Sequence, residues 1–184
     1  MKKILLSSLI VTTTLLAQGY IQSANQVSKD LLQTLGGNLK KELKTNGALK
    51  ALQFCSTNAQ GLTHKISEKY EKEGISVKRI SLKNRSDADK PSDDEKIILQ
   101  SLENMIKVGV KPRPVVQDKG DYVKVYKPLM INKKVCLKCH GDVNKHPKLA
   151  KELKMRYPHD KATGYKMGDF RGAIVVSIKK KDKK

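Results

Sequence analysis

The chain has 184 residues, a formal net charge of +20, no Trp and two Phe. That length suits one domain with a sizeable core, here built from Leu, Ile and Val, rather than two domains. A basic surface attracts nucleic acid, anionic lipid or acidic proteins, but no basic groove interleaved with aromatics, as single-strand binders use, is visible. The lysines are spread along the whole chain, which reads first as a solvated surface and second as one that attracts an acidic redox partner or a membrane surface.

The N-terminus reads as a secretory signal. Lys2 and Lys3 form the positive region and Ile4 to Leu16 a short apolar one, softened by Ser7, Ser8 and Thr12 to Thr14. Ala17-Gln18-Gly19 offers small residues where a signal peptidase reads, so cleavage is expected after Gly19, with Ala24 as the alternative. The competing reading is a retained anchor, which the shortness and hydroxyl content of the run disfavour. No Cys follows to carry a lipid. Export makes nucleic acid an unsuitable partner, and no later stretch is suited to crossing a bilayer.

Val27, Leu31, Leu32, Leu35, Leu39 and Leu43 recur at helical spacing. Gly36-Gly37 weakens or bends that helix, and Asn46-Gly47 breaks it. A second helix runs from Ala48 to about Lys72, its apolar stripe formed by Leu49, Leu52, Cys55, Ala59, Leu62, Ile66 and Tyr70, until Gly74 ends it. Ile75 to Leu82 reads as a strand and Asn84 to Lys90 as a loop. Ser92 and Glu95 form a capping box at the start of a third helix with Ile98, Leu102, Met105 and Ile106 on one face, stopped by Pro112 and Pro114. Val115-Val116, Asp118 to Asp121 and Tyr122 to Tyr126 read as a β-hairpin. Pro147 to Met155 suits a short helix, Tyr157 to Asp169 a loop, and Phe170 to Ile178 a last strand. Helices first and hairpin-connected strands later indicate an α+β domain around an antiparallel sheet.

Cys136-Leu137-Lys138-Cys139-His140 is the strongest signal. Cys-x-x-Cys-His is the attachment motif of c-type haem. Two thiols three residues apart add to the two vinyl groups on one porphyrin edge, and the next imidazole lies beneath the ring to ligate the iron. An export signal agrees with haem attached outside the cytoplasm. The competing readings are a Cys136–Cys139 disulfide or redox pair, and a zinc site with one distant ligand, for which a lone Cys-x-x-Cys is weak support.

With three cysteines in an exported chain, Cys55 is the odd thiol. It lies on the apolar stripe and should point inward, whereas His64, nine residues on, should face solvent. Cys55 reads either as a small buried hydrophobe or as a sixth, distal ligand to haem iron. Met130, Met155 and Met167 are thioether alternatives, and His146 and His159 sit in loops after the motif. The segment Tyr157 to Ala173, dense in turn formers and aromatics, reads as a wall of the haem pocket with Arg171 near the propionates.

Three stretches together resemble a family of exported c-type haem proteins with a PAS-like sensor fold, long catalogued as a domain of unknown function. They are Ala51 to Cys55; Arg79 to Arg85 with Pro91 and Glu95; and Cys136 to Gly141 with Tyr157 to Ala173. Where relatives usually read Arg-Asn-Pro-x-Asn-x-Pro, this chain has Arg85-Ser86-Asp87-Ala88-Asp89-Lys90-Pro91. The resemblance implies an α+β, PAS-like antiparallel sheet with long N-terminal helices, one covalent haem c, and iron ligation by a His and a Cys, carried over to His140 and Cys55. The expected organisation is a signal peptide over residues 1–19, one haem c domain over residues 25–180 and a basic tail over residues 181–184. The expected function is that of a periplasmic haem protein in redox sensing or electron transfer, without substrate turnover. The alternatives are a haem sensor of CO or NO whose distal ligand leaves, and a haem enzyme such as a peroxidase, for which no distal His–Arg pair stands out.

Overall fold

The computed structural model describes residues 7–181, with side chains from residue 17 onward. Lys2, Lys3 and Ile4 of the expected signal, and most of the basic tail, lie outside the described residues. Helix α1 (Ser7–Tyr70) is one long element interrupted at Gly47, whose φ of 76° and ψ of 179° leave the helical region. A residue at that positive φ favours glycine, and the expected break at Asn46-Gly47 is where the chain folds back. Asp30 on the first arm accepts from Tyr70 Oη at 2.7 Å and pairs with Lys69 Nζ at 2.5 Å on the second. Gly36 and Gly37 do not bend the helix. Both have open space around them and helical backbone, so they cost propensity, about 1 kcal/mol each, without changing the path.

The two arms bury one apolar seam. Ala24, Val27 and Leu31 meet Ile66 and Tyr70, and all five pack on one face of the sheet. Leu32, placed on that stripe from spacing, is 44% exposed. After Gly74 the chain enters β1 (Ile75–Ile80), then α2 (Asp93–Lys107), β2 (Val115–Asp118), β3 (Tyr122–Met130), α3 (Leu137–His140), α4 (Pro147–Arg156) and β4 (Phe170–Lys179). The sheet is antiparallel throughout, in the order β1-β4-β3-β2. This meets the α+β expectation and is compatible with a PAS-like arrangement.

Side chains alternate across each strand. Ile174, Val176 and Ile178 of β4 face α1, while Ala173 and Val175 join Leu99 and Leu102 of α2 on the other side. With both faces covered, the central strand carries a continuous apolar run instead of an alternating one. The α2 stripe is rotated slightly from expectation: Leu99 and Leu102 are fully buried and Met105 is exposed. At one end of the sheet β1 leaves, β3 leaves and β4 enters together, since Ile80 pairs with Ala173 and Leu129 with Gly172. Gly172, at φ 145°, lets the strands meet there: a Cβ on it would lie 2.2 Å from the Ile80 carbonyl oxygen. The loops after β1 and β3 and before β4 therefore converge.

Glu95 anchors α2 to the sheet. Its Oε2 accepts the Ser92 N–H at 3.1 Å, completing the expected capping box, and the fully buried carboxylate receives Lys78 and Lys124 Nζ at 2.9 Å each. Burial pushes its carboxyl up, but the hydrogen bonds from Lys78, Lys124 and the backbone outweigh it and hold it at about 2. The folded value lies below the ordinary 4.5, so this stabilisation is present above pH 4.5 and is lost as pH falls toward 2. Such a lowering corresponds to about 3 kcal/mol, discounted to about 2 kcal/mol because Lys78 is half exposed. Glu95→Gln should cost that much in urea unfolding at pH 7, and its deficit should shrink between pH 4.5 and 2; a pH-independent deficit contradicts this account.

Candidate functional site

The converging loops assemble around the Cys-x-x-Cys-His turn. The 157–169 loop lies along it through two backbone bonds, Tyr165 N–H to His140 O and Gly164 N–H to Gly141 O, each 2.9 Å. Gly141 N–H closes the turn on Leu137 O at 2.9 Å, and no side chain fits at Gly141 because a Cβ would lie 2.7 Å from that same oxygen. The loop is tied in turn to the segment after β1 by Lys161 N–H to Asn84 O, and to the end of β3 by Gly168 N–H to Ile131 O.

His140 is fixed by one contact above all. Its Nδ1 lies 2.7 Å from the carbonyl oxygen of Ala162, a residue with no exposed surface. A carbonyl only accepts, so Nδ1 carries the proton and Nε2 keeps its lone pair. Burial, with the Arg171 and Arg85 guanidiniums, holds the imidazole pKa well below its ordinary value, so the ring is neutral near pH 7. The Tyr165 ring meets it edge-on at 6.2 Å between centroids.

The two motif thiols point into different apolar clusters. Cys136 packs with Leu137 against Ile131, Ala162 and Tyr165, and Cys139 against Leu52 of α1 and Val143, Leu149 and Tyr157. Cys55 is half buried one turn beyond Leu52. Burial pushes its thiol up, Cys139 is close enough to push it further, and Arg79 and Arg85 oppose both. The structure therefore places Cys55 near Cys139; the stripe had implied only that it points inward, and it is half buried. All three cysteines are free. Among the described residues no three His, Cys, Asp or Glu side chains converge as zinc ligands would.

The other distal candidates stand elsewhere. Met130 packs with Leu99 and Phe170, Met155 and Met167 are 63% and 47% exposed, and His146 is exposed. His159 is also exposed, 3.5 Å from Asp87, and His64 faces solvent as its helical phase required. Arg171 reaches Ser81 Oγ at 2.7 Å and Lys83 O at 3.2 Å, with its guanidinium 5.5 Å from the Tyr165 ring centre. It borders the His140 side.

Sequence reasoning missed Arg85 as a site residue. Its Nη2 donates to Cys139 O at 2.6 Å and Ala162 O at 3.1 Å, and its Nε to Asp160 Oδ2 at 3.1 Å. Asp160 Oδ1 accepts Ala162 N–H at 2.8 Å, an Asx turn whose Asp-x-Ala spacing was available as a local signal. Arg79 was also missed. Its Nη2 lies 3.5 Å from Asp89, while its Nε is buried with no partner among the described residues.

The family model described as Tll0287-like matches residues 6–179. The chain belongs to the Tll0287-like family. The crystal structure of the cyanobacterial heme-protein Tll0287 superposes with a TM-score of 0.64 at 20% sequence identity, covering 90% of this chain and 98% of that one. The Tll0287-like fold thus accounts for the long helical hairpin and the four-stranded sheet together. A search of curated proteins gives no match.

The turn should be sensitive at its glycine. Gly141→Ala must push Leu137 O away or open the turn, at a cost of about 2 kcal/mol. Chemical unfolding should show that loss; a variant as stable as the natural chain contradicts the close approach.

Proposed function

We propose that this chain is an exported haem protein working in redox sensing or electron transfer, with haem attached through Cys136 and Cys139 and its iron held by His140 and Cys55. The observation that carries the reading is the Ala162–His140 hydrogen bond, which leaves Nε2 free on the residue directly after two unbonded thiols. Metal-ligating histidines habitually donate their other N–H in this way. The solved relative described as a heme-protein supports the same cofactor.

The residues fit the group. His140, with its Nε2 lone pair available, and Cys55, half buried near Cys139, would hold the iron. The buried, unpartnered Nε of Arg79 supplies a donor near Cys55, and Arg171 a cation near His140, both suited to carboxylates such as propionates. Bound haem would supply one-electron exchange at iron. The chain's own part would be to present a neutral imidazole in one tautomer and a half-buried thiol, with the apolar clusters around Cys136 and Cys139 beside them. The same end of the molecule exposes Lys133, Lys134 and Lys138 beside Val135, and Lys166 beside Met167. That mixture of lysine and exposed apolar surface suits an acidic redox partner.

Haem staining of a denaturing gel should be positive for the natural chain and lost in the Cys136→Ala/Cys139→Ala variant; a colourless zinc-binding protein contradicts the reading. Cys55→Ala should keep covalent haem, alter the Soret band, ease CO binding and raise the potential, since thiolate donation favours ferric iron. An unchanged spectrum would make Cys55 ordinary packing.

The helix also bears on export. Tyr20, Ile21 and Ala24 belong to the α1 seam, so cleavage after Gly19 keeps the seam whole and cleavage after Ala24 removes part of it. Mass spectrometry of the exported chain should find Tyr20 first; a chain retaining Met1 in the cytoplasmic fraction contradicts export.

A further inference from the structure

The Ala162 carbonyl oxygen serves two donors. His140 Nδ1–H reaches it at 2.7 Å and Arg85 Nη2–H at 3.1 Å. The same guanidinium is held by Asp160, whose other oxygen grips the N–H of Ala162 itself. The ion pair is nearly dry, with side chains 10% and 9% exposed. Guanidinium, carboxylate, peptide and imidazole therefore form one closed set of hydrogen bonds behind the motif. Arg85 also donates to Cys139 O at 2.6 Å, so it ties the motif backbone to the loop.

We propose that the Arg85–Asp160 pair is a positioning device that sets how strongly His140 donates to iron, and thereby the reduction potential of the site. The inference rests on the haem reading. A carbonyl already shared with a guanidinium has less electron density to offer an imidazole N–H. Arg85 thus restrains the basicity that a carbonyl partner confers on a ligating histidine. Its buried positive charge also disfavours ferric iron, and Asp160 offsets that charge. The two residues act on the potential with opposite signs.

The test is a redox titration of the full, haem-loaded chain. Asp160→Asn keeps an oxygen for the Ala162 N–H but removes the offsetting charge, so the potential should rise. Arg85→Gln frees the carbonyl and leaves Asp160 unopposed, so the potential should fall. Each change should be roughly tenfold in the reduction equilibrium constant, about 59 mV for one electron. Arg85→Lys keeps the charge and should recover most of the natural value. Loosening of the pocket alone would move both variants the same way, and that result, or no shift, overturns the proposal. Should Arg85→Gln lose its haem, Asp160→Asn decides alone: an unchanged or lowered potential overturns it. A natural chain that carries no haem overturns the proposed function and this inference together, whereas a haem-loaded chain with an unresponsive potential overturns only the inference.

Discussion

A carbonyl oxygen cannot give a proton, and the site depends on that fact. Because Ala162 O faces Nδ1, His140 has one available tautomer, one ring orientation and one free lone pair. Placing that oxygen requires the 157–169 loop to lie along the Cys-x-x-Cys-His turn. The loop is held there by Tyr165 and Gly164 on one side and by Asn84 on the other. The imidazole also needs its charge suppressed, and its burial does so, helped by two guanidiniums. One contact thus joins protonation, orientation and ligand availability.

The sheet brings the parts together. β1, β3 and β4 end or begin at the same end of the sheet, so three segments far apart in sequence reach one place within a few residues of leaving the core. Gly172 permits the closest of these approaches, between β4 and the end of β1. The helical hairpin supplies the remaining wall. Its fold at Gly47 lets the first arm cover the sheet while the second carries Leu52 and Cys55 to the motif. The site is therefore a property of the whole fold rather than of its five-residue motif.

Much of this was legible in the sequence. Gly47, the Ser92–Glu95 capping box, the Asp118 to Asp121 turn and the three long strands are local events, governed by a few neighbouring residues. Cys136, Cys139 and His140 stand out in the sequence because the attachment chemistry proposed for them fixes their spacing. Leu32 and the α2 stripe were misplaced because periodicity gives a face within a turn, not the rotation that tertiary packing selects. Arg85 and Asp160 were illegible as a pair because they stand 75 residues apart and act through backbone atoms, which composition does not distinguish. Gly36-Gly37 left weakening and bending both open, and the backbone stays helical there: a residue that permits a bend does not require one.

The central claim is that this fold presents two thiols and one imidazole to a covalently bound haem. An alkaline pyridine spectrum of the purified chain tests it most directly, because saturating both porphyrin vinyl groups shifts the reduced α band away from its position in free haem. The account predicts the band of haem with two thioether bonds, still present after acid–acetone extraction. Haem that extracts freely, or a protein without a haem spectrum, would contradict it.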